Sequence, residues 1–177
     1  MNEIELTKSL INCQSVTPKN DGVLDFLENE LSTIGFNCQR YKFSDDGTPD
    51  VDNLYAKFGN EDPNFCFGGH TDVVPVGDKS AWSYDPFEGI VDNGTLYGRG
   101  SSDMKSAIAA FVCASRDFIN QSKFTGSISM LITNDEEGPA INGTKKVLEK
   151  IYSEGEKISS CLVGEPTSPK NIGEMIK

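Results

Sequence analysis

The segment Phe65-Cys66-Phe67 is apolar at every position and runs directly into Gly68-Gly69-His70. Successive side chains of a strand point to opposite faces, so a strand without a polar face must have both faces covered. Asn64 to Gly69 is therefore expected to be a central strand of a sheet that lies between helices. Ile128 to Thr133 reads as another buried strand, and Ser159 to Val163 as the last clear one. Phe36 to Phe43 and Leu54 to Phe58 are expected as strands ahead of them, joined by a loop of Asp, Gly and Pro.

Helical spacing fills the intervals. Leu6, Leu10 and Cys13, with Ile4 and Ile11 beside them, predict a first helix that must end before Pro18. Val23, Leu27, Leu31 and Ile34 share one face of a second, with Asp21 as N-cap and Gly35 as the stop. A third is expected from about Asp103 to Asn120, with Met104, Ile108, Phe111, Val112, Ser115 and Ile119 on its inner stripe. A fourth begins near Gly143 and presents Val147, Leu148 and Ile151. Strands alternating with helices predict an α/β fold: a three-layer sandwich with a mixed, mostly parallel sheet covered by helices. With 177 residues and no repeat or linker tract, residues 1–177 are expected to belong to one domain.

Charge narrows the function classes. Sixteen Lys and Arg stand against 27 Asp and Glu, a net charge of -11, which argues against partners held through phosphate, such as nucleic acid or an anionic membrane. The N-terminal MNEIELTKSL has neither a basic leader nor a continuous apolar core, and no stretch is long enough to span a bilayer, so a cytoplasmic location is expected. Cys13, Cys38, Cys66, Cys113 and Cys161 form no C-x-x-C pair and are expected to be reduced and buried. Without secretion, the Asn-x-Thr sequons at Asn93 and Asn142 read as turns rather than glycan sites.

In a sheet covered on both sides, ligands collect beyond the carboxyl ends of the strands. One strand opens onto His70-Thr71-Asp72, another onto Asn134-Asp135-Glu136-Glu137-Gly138, and the last onto Gly164-Glu165-Pro166, while Asp103 follows the glycine turn Gly98-Arg99-Gly100. Each signal alone has a plainer explanation. A lone histidine is more often structural than a ligand, adjacent acids usually make a solvated turn, Asp103 could cap a helix, and Glu165 could lie in a surface loop. Their joint placement at successive element ends is what points to a site. Three neighbouring carboxylates repel one another unless a cation lies among them, and with one present an acid can ligate while its neighbour acts as general base. Asp72 is placed to orient His70.

One nitrogen and several oxygen ligands suit zinc, cobalt or manganese better than a thiolate site. A carboxylate such as Asp103 could bridge two ions about 3.5–4 Å apart, an arrangement used to polarise carbonyls and acidify water. Gly98 to Ser106 superficially resembles a phosphate-binding loop ending in Lys-Ser, but Arg99 and Met104 stand where that motif needs glycines. No cysteine lies in an electropositive turn near His70, which argues against a thiol nucleophile.

These residues together carry a resemblance. Gly68 to Pro75, Trp82 with Asp85-Pro86-Phe87, Leu96 to Lys105, Asn134 to Gly138 and Val163 to Thr167 look, in order and spacing, like the M20 group of metallopeptidases. The resemblance spans almost the whole chain. It implies a dinuclear metal amidohydrolase with two divalent ions, zinc first and cobalt as the alternative. His70, Asp103 and Glu165 would hold one ion, and Glu137 with the bridging Asp103 the other. Glu136 would be the general base, Asp72 would orient His70, and the Asp103–Met104 peptide would be cis.

Within the group, Asp135 to Thr144 and Gly164 to Ser168 are most similar to members that hydrolyse N-succinyl-LL-diaminopimelate to succinate and LL-diaminopimelate, a step of bacterial lysine synthesis. The alternatives are a deacetylase of acetylornithine type, a carboxypeptidase, or a metal-binding remnant without turnover. M20 proteins are about twice this length and form homodimers through a smaller domain, expected to begin about where Gly173 to Lys177 end this sequence. The resemblance thus implies a chain without the dimerisation domain and the catalytic remainder. Its second metal site would lack a histidine, and its activity alone would be weak or absent.

Overall fold

The computed structural model describes residues 1–168, 170 and 171; the Gly173 to Lys177 segment lies outside the described residues. Helices α1 (Glu3–Asn12) and α2 (Val23–Ile34) lead into strands β1 (Asn37–Phe43), β2 (Val51–Phe58) and β3 (Asn64–His70). A long loop carrying a small hairpin, β4 (Ile90–Asp92) and β5 (Thr95–Tyr97), precedes α3 (Ser106–Gln121), β6 (Ser127–Thr133), α4 (Thr144–Ser153) and β7 (Ser160–Val163).

The main sheet has the order β1-β2-β6-β3-β7. β3 is parallel to both β6 and β7, while β2 is antiparallel to β1 and to β6. The sheet is thus mixed, and β2 alone runs against the other four. β3 pairs on both sides, as its apolar sequence requires.

Alternation along the strands builds a core on each face. Leu54 and Ala56 of β2, Phe67 of β3 and Ile128, Met130 and Ile132 of β6 pack with Leu6, Leu10, Leu24, Leu27, Leu31, Ile108 and Val112 from α1, α2 and α3. Tyr55, Cys66 and Leu131 point the other way, onto Val147 and Ile151 of α4. This is a three-layer sandwich. Each such fully buried side chain contributes about 1.5–3 kcal/mol of transfer free energy, and Phe67 stacks on Phe111 with ring centroids 4.7 Å apart.

Some local expectations are corrected. Asp21 does not cap α2: Asp21 and Gly22 both have positive φ, and this turn brings Asn20 to the first helical turn, where its Oδ1 accepts from the Leu24 N–H at 3.0 Å. α3 starts at Ser106 rather than near Asp103, because residues Ser101–Lys105 form a wider turn in which Asp103 has non-helical dihedrals. Asp103 therefore serves neither as a helix cap nor as a first-turn acid. Only Cys66 and Cys113 are buried; Cys13 and Cys38 are half-buried, and Cys161 is exposed because β7 lies at the sheet edge. All five are free thiols.

The hairpin was not foreseen. Its turn is Asn93-Gly94, both at positive φ, a pair suited to a two-residue hairpin turn. Asn142 is also in a turn, but a buried one: its side chain donates to Thr48 Oγ1 and to the Pro49 carbonyl, at 2.7 and 2.9 Å.

Candidate metal centre

Three parallel strands, β6, β3 and β7, end at the same side of the sheet. His70 is the last residue of β3, paired with Thr133 at the end of β6. Glu136 and Glu137 follow β6, and Glu165 follows β7, so the histidine stands between acids delivered from both neighbours. Asp103 arrives from a different direction. Gly100, at φ +80, starts the turn, the Asp103–Met104 peptide is cis, and Lys105 returns its N–H to the Gly100 carbonyl at 2.9 Å.

Lys105 fastens this turn to the fold. Its side chain is buried, and its ammonium donates to the carbonyls of Leu10 and Cys13 at the end of α1, at 2.9 and 2.8 Å. Burial lowers its pKa to about 8, against the pull of Cys13, Asp72 and Asp21. Met104 then lies across the strand ends, its sulfur 3.3 Å from the His70 N–H. A Cβ at Gly69 would fall 2.7 Å from the Met104 methyl, and one at Gly164 would fall 2.9 Å from it and 2.5 Å from the Phe67 ring. The glycines before His70 and Glu165 are there because Met104 and Phe67 occupy the space.

His70 is 1% exposed. Its Nδ1 lies 2.9 Å from the main-chain carbonyl of Asp72, an acceptor, so Nδ1 carries a proton and Nε2 is the atom turned to the cleft. Nε2 faces Asp103 Oδ1 at 3.1 Å, Glu165 Oε1 at 3.1 Å and Glu136 Oε2 at 3.8 Å. A lone pair aimed at carboxylate oxygens is repulsive; a proton or a metal cation between them turns the arrangement attractive. Burial disfavours the imidazolium, yet Asp72 and Glu165 outweigh it and raise the His70 pKa to about 9. Burial also raises the Glu137 pKa, with the carboxylates of Asp103, Glu136 and Asp72 adding to it and His70 opposing.

Among the described residues, two sets of potential ligand atoms each fall within 4.8 Å: His70, Asp103 and Glu165, and His70, Glu136 and Glu137. The donor set, one imidazole and several carboxylates, fits a divalent ion of the zinc, cobalt or manganese type. Both groups draw on the same imidazole nitrogen, which can bind one ion at a time.

Asp72 does more than its expected role. Its carboxylate is fully buried, with Oδ1 3.5 Å from His70 Nδ1, and it accepts from the main-chain N–H groups of Glu136 and Glu137 at 3.2 and 3.0 Å. It thus ties the histidine to the acidic loop. Asp135, which the sequence grouped with the repelling acids, turns inward instead. Its oxygens accept from Ala140 N–H at 3.2 Å and Asn142 N–H at 2.9 Å and fold the loop back on itself. The available signal was the pair Gly138 and Gly143: a Cβ would meet Asp135 Oδ1 at 2.7 Å in the first case and Thr133 Oγ1 at 2.5 Å in the second.

Peptidase family M20/M25/M40 matches residues 66–176. The chain belongs to this family. It is 56% identical over 174 residues to the succinyl-diaminopimelate desuccinylase of Parvibaculum lavamentivorans, and 52% identical over 177 residues to that of Pelagibacter ubique. These alignments take in 98% and 99% of this chain but 44% and 46% of the relatives, so the chain spans about half the length of the M20 proteins it matches. Human carnosine dipeptidase 1 superposes with a TM-score of 0.81 at 19% identity, over 94% of this chain and 38% of that one. An M20 metallo-carboxypeptidase from Sulfolobus solfataricus superposes with a TM-score of 0.80 at 18% identity, over the same shares. At that identity the likeness is one of fold. Among the described residues, no helix is long and apolar enough to cross a membrane.

Proposed function

We propose that these residues form the metal-binding core of a dinuclear amidohydrolase acting on the succinyl amide of N-succinyl-LL-diaminopimelate. The observation that carries the reading is His70 Nε2 turned toward Glu165 and Glu136 beyond neighbouring parallel strands and toward Asp103 on the Ser101–Lys105 turn. The choice of substrate rests on identity above 50% to relatives named as desuccinylases.

His70, Asp103 and Glu165 would hold the first ion, zinc before cobalt, and Glu137 with Asp103 the second. Bound there, divalent ions polarise an amide carbonyl and acidify a water. Asp103, 46% exposed at its side chain, would be the ligand shared by the two ions. Glu136, 52% exposed, faces the cleft with its carboxylate free to take the water's proton and pass it to the departing amine.

Cobalt titration followed by visible absorption, beside succinate release from the purified chain, tests the reading. Cobalt should bind to the wild type and to Glu136→Gln. Succinate release should be about 10²–10⁴-fold lower in Glu136→Gln than in the wild type. Failure to bind cobalt would overturn the metal site, and undiminished release by Glu136→Gln would overturn the general base.

A further inference from the structure

Cys66 and Cys161 are direct partners across the parallel β3–β7 pair. Parallel partners put their side chains on one face, so both thiols rise from the α4 side of the sheet. Cys161 Sγ would lie 3.5 Å from a Cβ at Gly68, two residues along β3 on that same face, so the glycine leaves the sulfur its room. Adjacent strands lie about 4.8 Å apart, within the roughly 4.4–6.8 Å between Cα atoms that a disulfide spans. Cys66 is buried against α4, while Cys161 is exposed to solvent. On the other side Cys66 is partnered by Ser129, and Cys38 by Ala56, so no other two of the strand cysteines face each other.

We propose that Cys66 and Cys161 are a redox pair that closes into a reversible cross-strand disulfide when a peroxide reaches the exposed Cys161. The Cys161 sulfur attacks the peroxide O–O bond, which breaks to leave a sulfenic acid on Cys161 and one water. Cys66 Sγ then attacks the Cys161 sulfur; the S–S bond forms, the S–O bond breaks, and the departing hydroxide leaves with the thiol proton as a second water. Two thiols lose two electrons in all, and one hydrogen peroxide becomes two waters. Burial pushes the Cys66 thiol up to about 12, with the adjoining Cys161 sulfur adding to it, so Cys161 is the point of entry and Cys66 the slower, resolving partner.

The position of the pair gives the bridge a consequence. Cys66 lies four residues before His70 and Cys161 four before Glu165, on strands held in register, so the bridge fixes the offset that sets His70 Nε2 3.1 Å from Glu165 Oε1. All four residues of β7 are exposed, which makes it the strand with most to gain from a covalent tie. The inference stands apart from the proposed reaction and needs no metal.

The test is to treat the reduced 177-residue protein with stoichiometric hydrogen peroxide, alkylate the remaining thiols after unfolding, and map peptides without reduction. The expected result is a Cys66–Cys161 bridged peptide as the main product, with three of the five thiols still alkylated and full return on adding dithiothreitol. Backbone amides of Ser160–Val163 should exchange about tenfold more slowly in the oxidised form. Cys161→Ser, an exposed change that leaves the core intact, should abolish the bridge and keep Cys66 as a thiol. Sulfinic acid on Cys161 with Cys66 fully alkylated, a chain-to-chain dimer through Cys161, or bridging of any other pair would each overturn the proposal.

Discussion

The two groups of acids that meet at His70 are held by different parts of the fold. Glu165 extends a strand that is hydrogen-bonded to β3, and Asp103 sits on a turn pinned by the buried Lys105. Glu136 and Glu137 instead lie on an irregular loop, and their main chain is positioned by the carboxylates of Asp72 and, further along, Asp135. Glu165 is 14% exposed at its side chain and Glu136 52%. The strand-end group is thus set by sheet register and packing, and the loop group by a few charge-assisted hydrogen bonds. In the proposed site the first ion would rest on the firmer support, while Glu137 of the second ion and the proton-carrying Glu136 would share the looser one.

Removing His70 should have the largest effect. His70→Ala is expected to cost about 3 kcal/mol of binding at the first ion, roughly a hundredfold or more, if the roughly 10–16 kcal/mol of a four-ligand zinc site is divided among its ligands. Calorimetric zinc titration measures it, and binding within tenfold of wild type would show that the carboxylates alone make the site. Asp72→Asn should come next, with a loss of about 10–100-fold in metal affinity. The amide keeps the volume and one acceptor but cannot serve both Glu136 and Glu137 as a carboxylate does. Amide exchange at those two residues should therefore rise while β7 stays protected, and equal loosening of both would erase the distinction between strand and loop.

A smaller change probes the strand-end group alone. Gly164→Ala would place a methyl against the Phe67 ring and the Met104 methyl, and overpacking of this kind costs about 1–3 kcal/mol. Urea unfolding should show that loss, and the displaced Glu165 should weaken zinc binding, while Gly77→Ala, in open space at the same kind of positive φ as other loop glycines, should leave zinc binding unchanged. An unaltered unfolding midpoint for Gly164→Ala would mean that Met104 and Phe67 yield easily and do not fix the strand ends.

Legibility in the sequence followed the same division. Apolar runs located β3 and β6 and helical spacing the four helices because burial imposes them, β7 was legible from its apolar run although it is exposed at the sheet edge, and a polar residue directly after such a strand marks its carboxyl end. His70, Glu136, Glu137 and Glu165 lie at or just after strand ends in this way, and the structure brings them to one strand end. What escaped was decided by contacts between distant segments. Asp135 looked like a third repelling acid because its partners, the N–H groups of Ala140 and Asn142, carry no side-chain signature. Lys105 looked like part of a loop motif because its acceptors are carbonyls some ninety residues earlier. The Ile90–Tyr97 hairpin was missed because each strand has only three residues, too few to show a period.

The mildest test separates the site's proton from its metal. Without metal, His70 holds its proton up to about pH 9 in the folded state, against an ordinary value of 6.5. The stability this gives is fully present below 6.5 and is lost as pH rises to about 9, because over that range the folded state binds more protons than the unfolded one. Lys105 acts with the opposite sign. Its folded value of about 8 lies below the usual 10.5, so its burial costs stability below pH 8, and that cost is relieved as pH rises toward 10.5. The urea midpoint of metal-free protein should fall from pH 6.5 to 8 and level off from 8 to 9, where relief of the Lys105 cost offsets the loss at His70. His70→Asn should remove the fall and Lys105→Met the levelling, whereas saturating zinc should abolish the fall by replacing the proton on Nε2. A midpoint that rises between pH 6.5 and 8 in the metal-free wild type would mean that the acids around His70 do not hold its proton, and the electrostatic case for a cation at this strand end would go with it.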